Sequence, residues 1–262
     1  MRRLVSLFAL LALGGCTLVV DGEVGELRPN QNAKRDVRVD LRDFTPHVGQ
    51  LVDVKIVNPE TNGTLAHAVI DALPSDCANL FFPRGAEAFA DRVDFFADLN
   101  GNGVLDQAPT DHSWRLRLND EGRLLYVHDV DFTNIGEDEP AVFIGEPLQL
   151  TVTGAGAFDG QRVVASVIRS DLIDPEMDIR ADTVPGIYVL GAIEGGTIAF
   201  ELEGVIDAGR VHNIELAIGD GATRCETSAT APDSGPLTLE LDLSTLDCDD
   251  RPPRMAFEDC GR

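Results

Sequence analysis

Short apolar segments with strict two-residue alternation recur along this chain and restrict it to a β-sheet fold. The clearest is residues 237–243, where leucine occupies every second position and Thr238, Glu240 and Asp242 lie between. Side chains alternate between the two faces of a strand, so this pattern places the leucines on one buried face. No segment keeps a helical period over three turns, and 25 glycines and 14 prolines interrupt the chain. The sequence therefore predicts an all-β protein.

Segments of this kind occur throughout the chain, separated by turn residues. They predict strands at 37–41, 51–57, 65–73, 93–96, 114–118, 124–130, 148–152, 163–168, 187–190, 198–202, 214–218 and 237–243. Six or seven short strands in about a hundred residues are typical of an immunoglobulin-like β-sandwich.

Four blocks of sequence recur in the same order and indicate an internal repeat. Residues 47–56 align without gaps with 143–152, and the segment 63–70 aligns with 160–168. Further on, 95–98 resembles 216–220, and 108–118 resembles 231–241. We therefore expect two tandem β-sandwich domains of ordinary size. They cover 36–138 and 139–247, and a cysteine-containing tail follows over 248–262.

Residues 98–106 read DLNGNGVLD and have the spacing of a calcium-binding loop. Oxygen-bearing side chains stand at positions 1, 3, 5 and 9, and glycine at position 6 permits a sharp turn. The run follows a predicted strand, so it joins two strands and is not part of a helical EF-hand. Because Asn-Gly is itself a strong turn signal, a hairpin turn without an ion is the alternative.

The same run resembles the calcium loops of dockerin modules and of the B-type repeat domains of Gram-positive surface adhesins, where it lies in a β-sandwich. Those groups place an acid at position 12, where this chain has Pro109. Together with the later DHSW at 111–114, the loop also resembles that of uncharacterised myxobacterial lipoproteins, which implies no activity. The resemblance to dockerins and B-type repeat domains implies a Ca²⁺ site with these ligands: Asp98, Asn100, Asn102, the backbone carbonyl of Val104, Asp106 and, after a short insertion, Asp111.

The N-terminus predicts export and lipidation. Two arginines precede an apolar run over 4–13, and the sequence then reads LGGC up to Cys16. A basic start followed by an apolar stretch too short to span a bilayer is typical of a secretory signal. The LGGC ending resembles the lipobox of bacterial lipoproteins, which implies removal of residues 1–15 and acylation of Cys16. Residues 16–35 are then a lipidated tether, and Thr17 is compatible with sorting to the outer membrane.

Charge and cysteine usage agree with an exported protein. The formal net charge of −24 disfavours nucleic-acid partners, because phosphate binding needs clustered lysine and arginine. An even number of cysteines after Cys16 suggests two disulfides with three pairings open. The candidates are Cys77, Cys225, Cys248 and Cys260. We expect Cys225 to pair with a tail cysteine and to stabilise the loop that, in the second copy, lacks two of the calcium ligands.

Catalytic candidates are few. His112 and His128, with Asp129 beside the latter, permit an alternative in which the protein is an envelope metal-dependent hydrolase or a transition-metal-binding protein. No nucleophile elbow or HExxH motif accompanies them, so we favour structural roles and expect no enzyme activity. The other histidines are scattered in sequence and are interpreted as structural: His47, His67 and His212.

These features together predict a calcium-stabilised lipoprotein of the bacterial cell envelope, attached to the outer membrane by its N-terminal lipid. Its expected role is binding or structural, with a protein or a polysaccharide as the ligand and no nucleic-acid partner.

Replacing Cys16 by alanine should leave the protein unlipidated and release it from the membrane. Stable anchoring needs more than one acyl chain, and Cys16 is the residue that would carry them. The measurement is fractionation of cells that express either form. Retention of Cys16→Ala in the membrane fraction after a high-salt wash would refute the lipobox interpretation.

Overall fold

The computed structural model describes residues 35–86, 91–128, 135, 145–170, 186–219, 223–249 and 256–258. These residues form β-strands and two short 3₁₀ turns, and no α-helix occurs among them. The prediction of an all-β fold is confirmed. The predicted signal peptide, Cys16, Asp129, Asp220 and Cys260 lie outside the described residues.

The strands of the first half of the chain are β1 (Arg35–Arg42), β2 (Leu51–Val57), β3 (Thr64–Ile70), β4 (Ala78–Ala86), β5 (Arg92–Asp98), β6 (His112–Arg117) and β7 (Arg123–Val127). Those of the second half are β8 (Glu146–Thr153), β9 (Arg162–Arg169), β10 (Gly186–Ala192), β11 (Ile198–Ile206), β12 (Val211–Ile218), β13 (Thr223–Thr230) and β14 (Leu237–Asp242). Two short strands follow, β15 (Cys248–Asp249) and β16 (Ala256–Glu258). The 3₁₀ turns, Thr45–His47 and Gly156–Phe158, precede β2 and β9 respectively.

The two halves repeat one strand order. Each contributes four strands to a nine-stranded sheet, whose order is β15-β13-β12-β9-β10-β3-β2-β5-β6. Each also has a smaller sheet, β4-β1-β7 with β16 added in the first half and β11-β8-β14 in the second. The central strand of each small sheet is antiparallel to one neighbour and parallel to the other. Each half is therefore a sandwich of a three-stranded layer on a four-stranded layer.

The halves are joined by parallel pairing of β3 with β10, which makes the large sheet continuous. Ala68 lies opposite Ile187, and Val69 lies opposite Tyr188. The predicted boundary between residues 138 and 139 falls outside the described residues, so the division into tandem domains stays a prediction.

The two small sheets cover opposite faces of the large one. In β10, Ile187 and Val189 lie in the core of the first half, whereas Tyr188 lies in the core of the second. In β3, Ala68 belongs to the first core and its neighbour Val69 packs against the second. Because consecutive residues of a strand point to opposite faces, the two cores lie on opposite sides of one sheet.

The predicted alignment of the repeats is wrong in three of its four blocks. By sheet position β2 corresponds to β9, β3 to β10 and β6 to β13. The alignment instead matched β2 with β8, β3 with β9 and β6 with β14, and only the match of β5 with β12 agrees with the topology. Short alternating strands look alike in sequence. The position of a strand in the sheet depends on which strands it pairs with, and a pairwise alignment contains no such information.

A Gly-Gln pair after each 3₁₀ turn marks the true correspondence. Gly49 and Gly160 have φ values of 83° and 79°, a backbone conformation that glycine adopts without steric cost. The amide of Gly49 donates to the carbonyl of Leu73 at 2.8 Å, and that of Gly160 donates to Ile193 at 2.9 Å. The same turn with the same hydrogen bonds therefore leads into β2 and into β9.

Two strands of the sandwich were not predicted. β4 has the sequence ANLFFPRGA, in which Pro83 and the positive φ of Arg84 interrupt the alternation that identifies a strand. β13 has the polar sequence TRCETSAT and lies next to the short strand β15 at one edge of the large sheet. A strand near an edge buries less surface, so its sequence carries a weaker apolar signal.

A disulfide joins Cys225 of β13 to Cys248 of β15, with an S–S distance of 2.05 Å. The expectation that Cys225 pairs with a tail cysteine is confirmed. Cys77 is also disulfide-bonded, and its partner lies outside the described residues. The beginning of the tail is therefore fastened to the second half, while β16 pairs with β4 of the first.

Replacing Cys248 by alanine should lower the free energy of unfolding by about 3 kcal/mol. The estimate follows from the loop-closure entropy of a sequence separation of 23 residues. Urea unfolding of the oxidised wild type and of the variant measures the difference. Non-reducing peptide mapping should recover Cys225 linked to Cys248, and a map that links Cys225 to another cysteine would contradict the assignment.

Candidate functional site

The loop from Asp98 to Asp111, called here the 98–111 loop, is organised around the carboxylate of Asp98. This residue ends β5 and is almost fully buried. Its Oδ1 accepts the backbone N–H of Gly101 at 2.7 Å and of Asn102 at 3.3 Å, and its Oδ2 accepts that of Gly103 at 2.6 Å. A buried carboxylate that receives three backbone N–H groups holds the turn in a single shape.

Asp111 closes the loop from its other end. It precedes β6 and has no exposed surface. Its Oδ1 accepts the N–H of Leu99 at 2.9 Å, and its Oδ2 accepts the N–H of Asp106 at 2.7 Å. The structure therefore brings Asp111 against the loop, although it stands two positions after the place where an acid is expected.

The exposed side of the loop contains the remaining predicted ligands. The side-chain amides of Asn100 and Asn102 both donate to Oδ2 of Asp106, each at 2.7 Å. The amide oxygen of Asn102 accepts the N–H of Val104, whose side chain is largely exposed. All six predicted residues thus belong to one compact hydrogen-bonded loop.

The carboxylate and amide groups of the 98–111 loop are of the type that a hard cation such as Ca²⁺ prefers. Nowhere in the described chain do three His, Cys, Asp or Glu side chains already stand in a metal-binding arrangement. Asn100 and Asn102, however, turn their amides toward one carboxylate oxygen, and the assignment of oxygen and nitrogen in an amide follows from its partners. Rotation of each amide would present its oxygen beside Asp106, and it would break the hydrogen bonds that these oxygens accept from the N–H groups of Asn102 and Val104. Without such rotation the loop is a turn that satisfies its own polar groups.

Three histidines meet at the end of the first sandwich, and we call them the histidine trio: His47, His112 and His128. The Nε2 atoms of His47 and His128 are 3.2 Å apart. The ring centroids of His47 and His112 are 5.3 Å apart. His47, which was interpreted from the sequence as structural, therefore lies beside the two candidate histidines. Sequence reasoning missed this proximity because 64 or more intervening positions separate His47 from the other two, and only the sandwich brings the three segments together.

Burial lowers the pKa of His47 below its ordinary value, a hydrogen bond to Gln50 opposes this, and the neighbouring His128 and His112 add to the lowering. The Nδ1 atom of His47 lies 2.8 Å from the Gln50 side-chain oxygen. His47 is buried, whereas His112 and His128 are half-buried. The trio is therefore enclosed on the His47 side and reaches solvent on the other.

A second buried polar group consists of His67, Asp53 and Tyr188. It lies on the face of the large sheet that is turned away from the core of the first half. Nε2 of His67 lies 3.0 Å from Oδ1 of Asp53, and Nδ1 of His67 lies 3.4 Å from the Tyr188 hydroxyl. Burial and the charges of Asp53 and Glu203 raise the pKa of Tyr188 well above its ordinary value. Burial alone would raise the pKa of Asp53, but His67 and Lys55 outweigh it and hold that pKa below its ordinary value.

This group forms part of the wall of a cavity of about 530 Å³ between the two halves. Its lining residues come mainly from the outer face of β2, β3 and β5, from the 98–111 loop and from β11. The lining includes Phe96, Val104, Leu105, Leu202 and the acidic pair Glu201 and Glu203. The lining of the cavity therefore combines apolar side chains with charged, mainly acidic ones.

Searches of protein-family models and of curated protein sequences find no match to this chain. Among solved structures, the chain is similar to the crystal structure of a "putative cell adhesion protein" from Parabacteroides distasonis. The identity is 9%, the TM-score is 0.25, and the match covers 87% of this chain and 96% of that one. A similarity at this level supports no functional conclusion. No helix among the described residues is long and apolar enough to cross a membrane.

Replacing Asp53 by asparagine should destabilise the fold at neutral pH by about 1 to 3 kcal/mol, because it removes a charged partner of His67. The pKa of Asp53 is lowered in the folded state, so its contribution is present above the unfolded value of about 3.9 and is lost as the pH falls through the folded pKa. Urea unfolding of both proteins at pH 7 and pH 2.5 tests this. An equal difference at both pH values would contradict it.

Proposed function

We propose that this protein is a calcium-stabilised lipoprotein of the cell envelope that acts in binding or in structure. The observation that carries the proposal is the convergence of five oxygen-bearing side chains on the 98–111 loop. Calcium prefers carboxylate, amide and carbonyl oxygens, and this loop supplies each of them. Asp98, Asn100, Asn102, Asp106, Asp111 and the backbone of Val104 would hold the ion, whose contribution is to fix the loop.

The second half of the chain supports a special role for this loop. The corresponding strands β12 and β13 are joined across residues 219–222 alone, whereas 99–111 separate β5 from β6. The sandwich therefore does not need a long connection at this point. A loop of this length lined by oxygen ligands is best explained by the ion it would bind. The net charge of −24 also favours attraction of cations.

The cavity between the halves offers a place for the binding role. Its lining includes Gly103, Val104 and Leu105 of the loop and Glu201 to Glu203 of β11. An ion that fixes the loop would fix one wall of the cavity, so ligand binding there would depend on calcium. Anchoring through Cys16 would hold this surface at the outer membrane and present it to a protein or a polysaccharide.

The alternative predicted from the sequence was an envelope hydrolase or a transition-metal protein built on His112 and His128. The contact between His47 and His128 supports its metal-binding part. No observation in the described residues favours a hydrolase, and the predicted partner Asp129 lies outside them.

Calcium at about a hundredfold excess over its dissociation constant should stabilise the chain from Thr17 onward by about 2.7 kcal/mol. For a chain of this size the melting temperature should rise by about 5 to 10 °C relative to chelator. Asp98→Ala should abolish the shift because it removes a carboxylate at position 1 of the loop. Asp106→Ala should also remove it, and it leaves the backbone hydrogen bonds to Asp98 and Asp111 in place.

Two control variants separate ion binding from loss of a turn. Asp242 accepts the N–H and the hydroxyl of Ser244 in an exposed turn, so Asp242→Ala should lower stability without changing the calcium shift. Asp220→Ala, at the corresponding place of the second half, should also leave the shift intact. Absence of any calcium shift in the wild type would show that the 98–111 loop is only a turn.

A further inference from the structure

Three separate segments of the first half deliver the histidine trio to one point. His47 ends the 3₁₀ turn after β1, His112 begins β6, and His128 directly follows β7. Phe44 and Trp114 pack against the rings, with centroid separations of 5.3 to 5.9 Å for the pairs that they form with His47 and His128. The imidazoles are thus held by an aromatic wall and do not lie on a freely moving surface loop.

The tautomer of His47 follows from its partner. The Gln50 side-chain oxygen can only accept, so Nδ1 of His47 donates to it at 2.8 Å and carries the ring proton. In the neutral ring, Nε2 then holds a lone pair, and this lone pair faces Nε2 of His128. Metal-binding histidines are typically oriented in this way, with one ring nitrogen donating to an oxygen and the other directed at the ion.

Two of the three spacings within the trio match those around a tetrahedral ion. Two imidazole nitrogens at the usual bond length to zinc and at a tetrahedral angle are about 3.3 Å apart, and their ring centroids are about 5.2 Å apart. The Nε2 atoms of His47 and His128 are 3.2 Å apart, and their centroids are 5.0 Å apart. The centroids of His47 and His112 are 5.3 Å apart. Both pairs that include His47 therefore have the separations of rings that share one ion. The three rings as they stand do not yet form a complete metal-binding group, so zinc binding requires His112 to turn a ring nitrogen toward the other two.

The second half shows that the sandwich does not require a histidine at position 47. Gln50 donates its N–H to the carbonyl of His47 at 3.1 Å, and Gln161 donates to the carbonyl of Phe158 at 2.9 Å. Phe158 is therefore the counterpart of His47, and it packs against the second core as an ordinary apolar residue.

The position of His128 corresponds to Leu243. The N–H of His128 donates to the carbonyl of Arg42, the last residue of β1, at 2.8 Å. The N–H of Leu243 donates to Thr153, the last residue of β8, at 3.0 Å. Leu243 is buried in the second core, so the second half has an apolar leucine at the position of His128.

The position of His112 corresponds to Thr223. His112 pairs with Ala97, which lies opposite Val52, two residues after Gln50. Thr223 pairs with Ile218, which lies opposite Val163, two residues after Gln161. All three imidazoles of the trio thus have counterparts without a ring nitrogen at positions with the same hydrogen bonds or strand pairing.

We infer that His47, His112 and His128 form a binding site for a divalent first-row transition ion, most suitably Zn²⁺. Three imidazoles suit zinc or copper better than calcium, so this site is chemically distinct from the 98–111 loop. The half-buried His112 and His128 leave one side open for a water ligand, as three-ligand zinc sites require. On binding, the ion replaces the ring proton between His47 and His128, and that proton moves to the other ring nitrogen of His128.

The test is calorimetric titration of the metal-stripped chain from Thr17 onward with Zn²⁺, in saturating Ca²⁺ so that the oxygen loop does not compete. We expect one zinc ion per chain. Co²⁺ should bind at the same site with the visible absorption of a tetrahedral ion. Asp106→Ala should retain the zinc isotherm, which keeps this result independent of whether the loop binds calcium.

The matched variants place the second-half residues in the first half: His47→Phe, His112→Thr and His128→Leu. Each should weaken zinc binding at least tenfold, while circular dichroism and melting confirm the fold. His128→Leu alters a half-buried side chain, so it remains informative if His47→Phe does not fold. Gln50→Leu should weaken binding through loss of ring orientation. The control is His67→Gln, which changes a histidine on the opposite face of the large sheet and should bind zinc as the wild type does.

Three results would overturn the inference. The first is no zinc binding by the wild-type chain in the presence of calcium. The second is an unchanged isotherm for folded His128→Leu. The third is loss of binding in His67→Gln, because the ion would then belong to the group around His67.

Discussion

The parallel pairing of β3 with β10 is the interaction on which the rest of the architecture depends. It converts two sandwiches into one body with a continuous nine-stranded sheet. Because the small sheets lie on opposite faces, the strands at the junction are covered on both sides, and nearly every residue of β3 is buried. This accounts for the sequence TLAHAVI, which reads as a continuous apolar run without strict alternation. A polar side chain at the junction must find a partner there, as His67 does with Asp53 and Tyr188.

The same arrangement creates the cavity. The two small sheets cover opposite faces of the large sheet. In each half, the outer face of the four large-sheet strands therefore lies beside the edge of the other half's small sheet. On one side this outer face carries Asp53, His67 and Phe96, and β11 of the second half stands next to it. The cavity therefore exists only where the two halves meet, and neither sandwich would form it alone.

Comparison of the halves separates the frame from what is added to it. The Gly-Gln turns and the strand order are shared, because they satisfy the backbone of any sandwich of this kind. The first half adds a long loop rich in oxygen-bearing side chains and a histidine trio, whereas the second half has Phe158, Thr223 and Leu243 at the positions of the trio. Trp114 and Cys225 also occupy corresponding places, so a stacked aromatic in one half stands where a disulfide fastens the other. Each half is thus stabilised by a different means at the same end of the fold.

The fold class, most of the strands and the composition of the loop could be predicted from the sequence, because alternation, turn residues and the spacing of oxygen-bearing residues are local properties of the chain. The sequence also predicted that Cys225 pairs with a cysteine of the tail, because a terminal segment needs a covalent link or contacts to hold it against the fold. The sequence did not predict which strands correspond between the halves, that the large sheet is continuous, or that His47 lies with His112 and His128. These features depend on which strand lies beside which. Hydrogen bonding between distant segments establishes that, and no short stretch of residues contains the information.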